Sequence, residues 1–137
     1  MRQLLDADDA EYRQYFLAFD AGAHDLAAML ARARRDRYWG IRAEGRLVGF
    51  LMLRGLDEGY TTPAFGVYIG RSHSGKGLGS LALDFAIAWC RLQGHAELML
   101  SVHPSHAAAI HMYQSAGFQF SGASSGRGHD IYRKKLA

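Results

Sequence analysis

Phe65-Gly66-Val67-Tyr68-Ile69-Gly70-Arg71-Ser72-His73-Ser74-Gly75-Lys76-Gly77-Leu78-Gly79 runs an apolar strand into a glycine-rich turn, and a helical pattern starts inside the glycines. That helix is predicted from about Gly77 to Gln93. Its apolar stripe is Leu78, Leu81, Phe85, Trp89 and Leu92, and Gly94 supplies a C-terminal cap. Gly75, Gly77 and Gly79 fall at alternate positions where strand becomes helix. Glycines let backbone N–H groups converge there, and the helix N-terminus adds partial positive charge, so the turn is suited to a phosphate.

Which phosphate ligand it takes is a separate question. Gly70 to Gly77 nearly spells the P-loop pattern G-x-x-x-x-G-K-[ST]. The mismatch is at Gly77, which has no hydroxyl for Mg²⁺, and the next strand, Leu98 to Val102, brings no acidic residue. A dinucleotide fingerprint fails as well, because its third glycine comes one residue early. A P-loop-like nucleotide-binding protein is therefore the weaker alternative.

Outward from the turn, the period of the pattern changes twice. On the C-terminal side come the strand Leu98 to Val102, a helix His106 to Ser115 stopped by Gly117, and closing strands Phe118 to Phe120 and Asp130 to Lys134. On the N-terminal side, Tyr38 to Ala43 and Arg46 to Arg54 flank Glu44-Gly45 as a hairpin. Before them, Tyr12, Tyr15, Phe16 and Phe19, then Leu26, Met29, Leu30 and Ala33, recur at helical spacing, with Gly22 between. The whole chain, 1–137, reads as one α/β (α+β) domain.

Two motifs together resemble a known family. Strand, then Ser74-Gly75-Lys76-Gly77-Leu78-Gly79, then helix is similar to motif A (Arg/Gln-x-x-Gly-x-Gly/Ala) of the GNAT superfamily of acyl-CoA-dependent N-acetyltransferases. His106-Ala107-Ala108-Ala109-Ile110-His111-Met112-Tyr113-Gln114-Ser115-Ala116-Gly117-Phe118 resembles motif B, Asn-x-x-Ala-x-x-x-Tyr-x-x-x-Gly-Phe. The resemblance is dense from about Phe65 to Phe120.

It implies a mixed central sheet splayed between the family's strands 4 and 5, here Phe65 to Ile69 and Leu98 to Val102, with about four flanking helices. It also implies acetyl-CoA as cosubstrate. The pantetheine arm would add along the splayed strand, amides of Gly75, Lys76, Gly77, Leu78, Gly79 and Ser80 would hold the pyrophosphate, and the Ile69 N–H would face the thioester oxygen. Tyr113 would serve the leaving sulfur.

Three departures shape the expectations. Ser74 replaces the Arg or Gln heading motif A, which passes a phosphate contact to Arg71 or Lys76. His106 replaces the motif B Asn in a chain that has no Asn at all, and its imidazole can still donate a hydrogen bond. No acid precedes the turn in the strand, where Phe65 and Gly66 stand, so Glu58 is the candidate base acting through a water.

The implied reaction is acetyl transfer to an amine by direct attack in a ternary complex. The acceptor classes are a small-molecule amine, an amino sugar (Leu53 to Tyr60 resembles relatives acting on those) and a protein N-terminus. A non-catalytic CoA-binding or interaction module is the alternative from another class.

Composition narrows the rest. A formal charge of +3 and basic clusters without interleaved aromatics give no nucleic-acid signal. The single Cys90, an N-terminus that turns acidic at once and the lack of a long apolar run read as a soluble cytoplasmic protein, off the membrane. His103, His106 and His111 have no acidic or Cys companion, so no metal is expected. Self-association as a homodimer is left open.

Overall fold

A computed structural model describes residues 30–124 and 128–136. The helical periodicity read from Tyr12 to Met29, and the tip of the loop Gly122 to Gly128, lie outside the described residues. Residues 30–32 are helical. Two strands follow, β1 (Arg37–Ala43) and β2 (Arg46–Arg54), then β3 (Ala64–Ile69), helix α1 (Leu78–Leu92), β4 (Glu97–Val102), helix α2 (Ala107–Ser115), β5 (Gln119–Ala123) and β6 (Asp130–Lys135).

The six strands form one mixed sheet in the order β1-β2-β3-β4-β6-β5. Glu44 and Gly45 turn β1 into β2 with φ of 52° and 78°, the positive values that a two-residue hairpin needs to match strand twist. Neighbours pair antiparallel except β3 and β4, whose parallel ladder consists of Ala64↔Met99 and Phe65↔Leu100. β3 continues to Ile69 against β2. Past Phe65 the ladder to β4 stops, so the sheet opens at its middle.

α1 starts and ends where the glycines punctuate the sequence, but it faces the other way from the predicted stripe. Its buried residues are Ala82, Leu83, Ala86, Ile87 and Cys90. Leu81, Phe85 and Leu92 are 62%, 43% and 76% exposed. Both faces have helical spacing. The small residues win the sheet because they let the helix axis approach the strands and close the core with fewer voids. The bulky stripe is partly covered at its middle by Trp39 of β1, edge-to-face with Phe85 at 5.0 Å and with Trp89 at 5.4 Å. Cys90 is fully buried, and burial pushes its thiol up to about 11, so it packs as a small hydrophobe.

The loop after β2 is tied to the residues before β1 by two carboxylates, chiefly that of Asp57. Asp57 accepts backbone N–H bonds from Arg34 (2.9 Å), Arg35 (2.6 Å) and Asp36 (3.3 Å), and its own N–H donates to the Asp36 carboxylate at 3.1 Å. The Arg34 and Arg35 amides, in that order, hold the Asp57 carboxyl below the usual range. The ion is what folding favours, so this contribution is complete above the ordinary carboxylate pKa and fades as pH falls through the lowered value. Asp57→Ala should lower Tm at pH 7, and the gap to wild type should narrow in melts below about pH 4.

Candidate active site

The opening between β3 and β4 leads into a cavity of about 1020 Å³. Its walls come from β3, from the start of α1, from α2 and from the loop 55–62. At one end the chain leaves Ile69, makes a short 3-10 turn at Arg71–His73 and enters α1 through Gly75 and Gly77. Both glycines are left-handed, with φ of 72° and 88°, and a Cβ on either would meet no atom within 4 Å. The turn therefore demands glycine for its backbone, and the space beside it is open.

Gly77 is the N-cap of α1, without a side-chain cap and with no acidic residue in the first turn. The first helical bond inside α1 runs from the Leu81 N–H to the Gly77 carbonyl at 3.0 Å. The N–H groups of Leu78, Gly79 and Ser80 come before it, in the part of a helix whose donors have no helical acceptor. An anion placed there meets converging donors and the positive end of the dipole. The residues thus fit a pyrophosphate. Ser74 does not extend this donor set, because its hydroxyl donates to the Arg71 carbonyl at 2.8 Å and closes the turn.

Glu58, Ile69, Ser74, Gly75 and Gly77 all line the cavity, as do Leu78, Gly79, Ser80, His106 and Tyr113. Arg71 and Lys76 are exposed and lie off its lining.

His106 caps the start of α2, and its N–H donates to the His103 carbonyl at 2.9 Å. Burial first, and His103's charge second, lower its pKa. The imidazole is therefore neutral at pH 7, with one donor and one acceptor. Tyr113 lies on α2 at 7% exposure, between the rings of Phe65 (6.4 Å) and Phe118 (6.0 Å). Burial alone pushes its phenol up to about 12. It stays protonated across the physiological range and can only donate or accept neutrally.

Two charged cavity residues are not singled out as site residues by the sequence: Arg54 at the end of β2 and Arg133 on β6. Arg133 reads as part of a solvated basic strand end, and Arg54 as the last residue of a strand. Only the register of the sheet brings them to one wall.

A mixed sheet split between parallel strands, with an uncapped helix N-terminus at the split, is an arrangement suited to an extended phosphate-bearing ligand. The acetyltransferase (GNAT) family model matches residues 2–118, and the chain belongs to that family. Streptothricin acetyltransferase of Streptomyces lavendulae is 31% identical over 85 residues, 62% of this chain and 45% of that protein. The chain thus spans a little under half the length of this curated relative. Among solved structures, a domain from Methanocaldococcus jannaschii DSM 2661 has a TM-score of 0.81 at 18% identity, over 98% of this chain and 91% of that one. Microcin C7 self immunity acetyltransferase MccE, in complex with acetyl-CoA and AMP, has a TM-score of 0.77 at 16% identity, over 98% and 84%. At these identities the likeness is one of fold.

Proposed function

We propose that the protein transfers the acetyl group of acetyl-CoA to an amine by direct attack, with both substrates bound. The observation that carries this reading is that one cavity joins the uncapped α1 N-terminus, the split between β3 and β4, and the buried Tyr113 phenol. A pyrophosphate at the glycine turn sends the pantetheine arm along β3, where peptide-like amides can pair with the strand beyond Phe65. The thioester then lies back along β3 from the turn, on the side that faces Tyr113 of α2.

The amine nitrogen attacks the thioester carbon and the C–N bond forms. The carbonyl oxygen takes up the negative charge, for which the Ile69 N–H is the donor. On collapse the C–S bond breaks and CoA leaves as a thiolate, while the excess amine proton passes through water to Glu58. A phenol pushed up to about 12 is a weaker acid than a thiol, so complete proton transfer from Tyr113 is uphill. Tyr113 therefore acts chiefly as a hydrogen-bond donor to the departing sulfur. His106, neutral, positions the chain beside it. The acceptor is a small-molecule amine, an amino sugar or a protein N-terminus, and the domain 1–137 works as one unit.

Release of CoA thiol from acetyl-CoA with a panel of amines tests the proposal. Acetyl-CoA that binds but is never turned over would leave a CoA-binding module instead. Glu58→Gln should slow turnover most at low pH, where free amine is scarce and a base matters most, and acetyl-CoA affinity should hold. A pH–rate profile superimposable on wild type would put the base elsewhere.

A further inference from the structure

Arg54, Ala64, Met99 and Arg133 stand opposite one another on successive strands: Arg54↔Ala64, Ala64↔Met99 and Met99↔Arg133. Opposed residues share a face of a sheet. The next row, Leu53, Phe65, Leu100 and Tyr132, belongs to the core beneath α1, so the arginine row lies on the other face. All four members of the arginine row line the cavity. Two guanidiniums therefore flank a small residue and a flexible one, with backbones three strand spacings, about 14 Å, apart. Long side chains on one face can span that gap to a single ligand.

Both are held in place. The Arg54 guanidinium donates to the phenol oxygen of Tyr38. Arg133 Nη1 donates to Glu97 Oε1 at 2.9 Å. That single contact engages one arm of the fork. Holding the stems lowers the side-chain entropy lost when a ligand docks.

These arginines are not where the pyrophosphate would sit. The row passes through Ala64, the first residue of β3, and the glycine turn follows Ile69, its last. Five residues of strand separate them, about 16 Å. The cavity thus has a donor-rich anion site at one end and two guanidiniums, one of them paired with Glu97, at the other. Glu58, on the loop that follows Arg54, lines the same cavity and offers a carboxylate to an ammonium.

We infer that Arg54 and Arg133 select the acceptor, and that the acceptor is an amine whose molecule also bears a phosphate or a carboxylate. The inference rests on the acetyltransferase reading above. A guanidinium fork matches either anion in a two-bond geometry. A polyamine or other polycation would bring like charge against two guanidiniums and is disfavoured.

Matched pairs test it: glucosamine 6-phosphate against glucosamine, and alanine against alaninamide, compared at equal free-amine concentration by CoA thiol release. The anionic member of one pair should exceed its neutral partner in kcat/KM by at least about 10-fold, and which pair responds tells phosphate from carboxylate. Arg54→Gln should raise KM for the anionic member about 10–100-fold with kcat little changed and its neutral partner unaffected, and Arg54→Lys should recover part of the loss. If Arg54→Gln does not fold, Arg133→Gln carries the same expectation.

Equal or better turnover of the neutral members overturns the inference, as does a variant that weakens both members alike. If no amine is acetylated, calorimetric binding of the same four compounds to the CoA-loaded protein decides. Charge-selective binding lost in Arg54→Gln keeps the anion site while the transfer reading falls. Binding indifferent to charge, or none, overturns the site.

Discussion

Tyr113→Phe should leave a folded protein that binds acetyl-CoA as before while kcat falls by about 10²–10⁴-fold. The ring is what the fold uses: it packs between Phe65 and Phe118 in a nearly dry setting, and phenylalanine fills the same space. The hydroxyl is what the reaction would use. A thiolate leaving inside a cavity has lost most of its water, and a donor already in place costs no reorganisation when charge appears on sulfur. Because burial holds the phenol near 12, its proton is kept well into the alkaline range. The pH–rate profile of wild type should accordingly show no alkaline fall from this residue below about pH 10. Wild-type kcat in a folded, CoA-binding variant would reduce Tyr113 to a core aromatic.

Gly77→Glu should abolish the rise in Tm that acetyl-CoA gives the wild-type protein. Two effects act together. A side chain at φ 88° is strained by about 1–2 kcal/mol. The added carboxylate also stands at the helix N-terminus, where it takes the donors for itself and repels a pyrophosphate. Since a Cβ there meets nothing within 4 Å, the variant should still fold. Among the described residues one non-glycine, Glu44, already sits at positive φ, 52°. Gly77→Ala separates the causes: it brings the same strain without the charge and should keep much of the ligand shift. A full shift in Gly77→Glu would move the cofactor site away from this turn.

The turn could be read in the sequence because it is local. Gly75, Gly77 and the helix they open lie within a few residues, and Gly94 marks the end as plainly as Gly77 marks the start. The direction in which α1 faces is not local. Leu81, Phe85, Trp89 and Leu92 have the stronger hydrophobic signal, yet the sheet takes Ala82, Ala86 and Cys90, because fit against strands depends on neighbours that no periodicity contains. The arginine row was hidden for a similar reason. Arg54 and Arg133 are 79 positions apart in sequence and meet only through the registers of β2 with β3, β3 with β4 and β4 with β6. The deep placement of Tyr113, by contrast, follows from its offset before Gly117-Phe118, which folds the chain back over the ring.

The two-rung ladder between β3 and β4 makes the domain a pair of three-stranded leaves on a short spine. Hydrogen bonds, which elsewhere lock neighbouring strands, are few along this seam, so the leaves are joined chiefly by α1 and the core beneath it. A guest that pairs along β3 would supply missing stitches as well as occupy a site. Its binding energy and the mechanical coupling of the leaves would then be one quantity observed from two directions. Amides flanking the seam should exchange with solvent faster than those of β2, and slow down when a ligand of that shape is present.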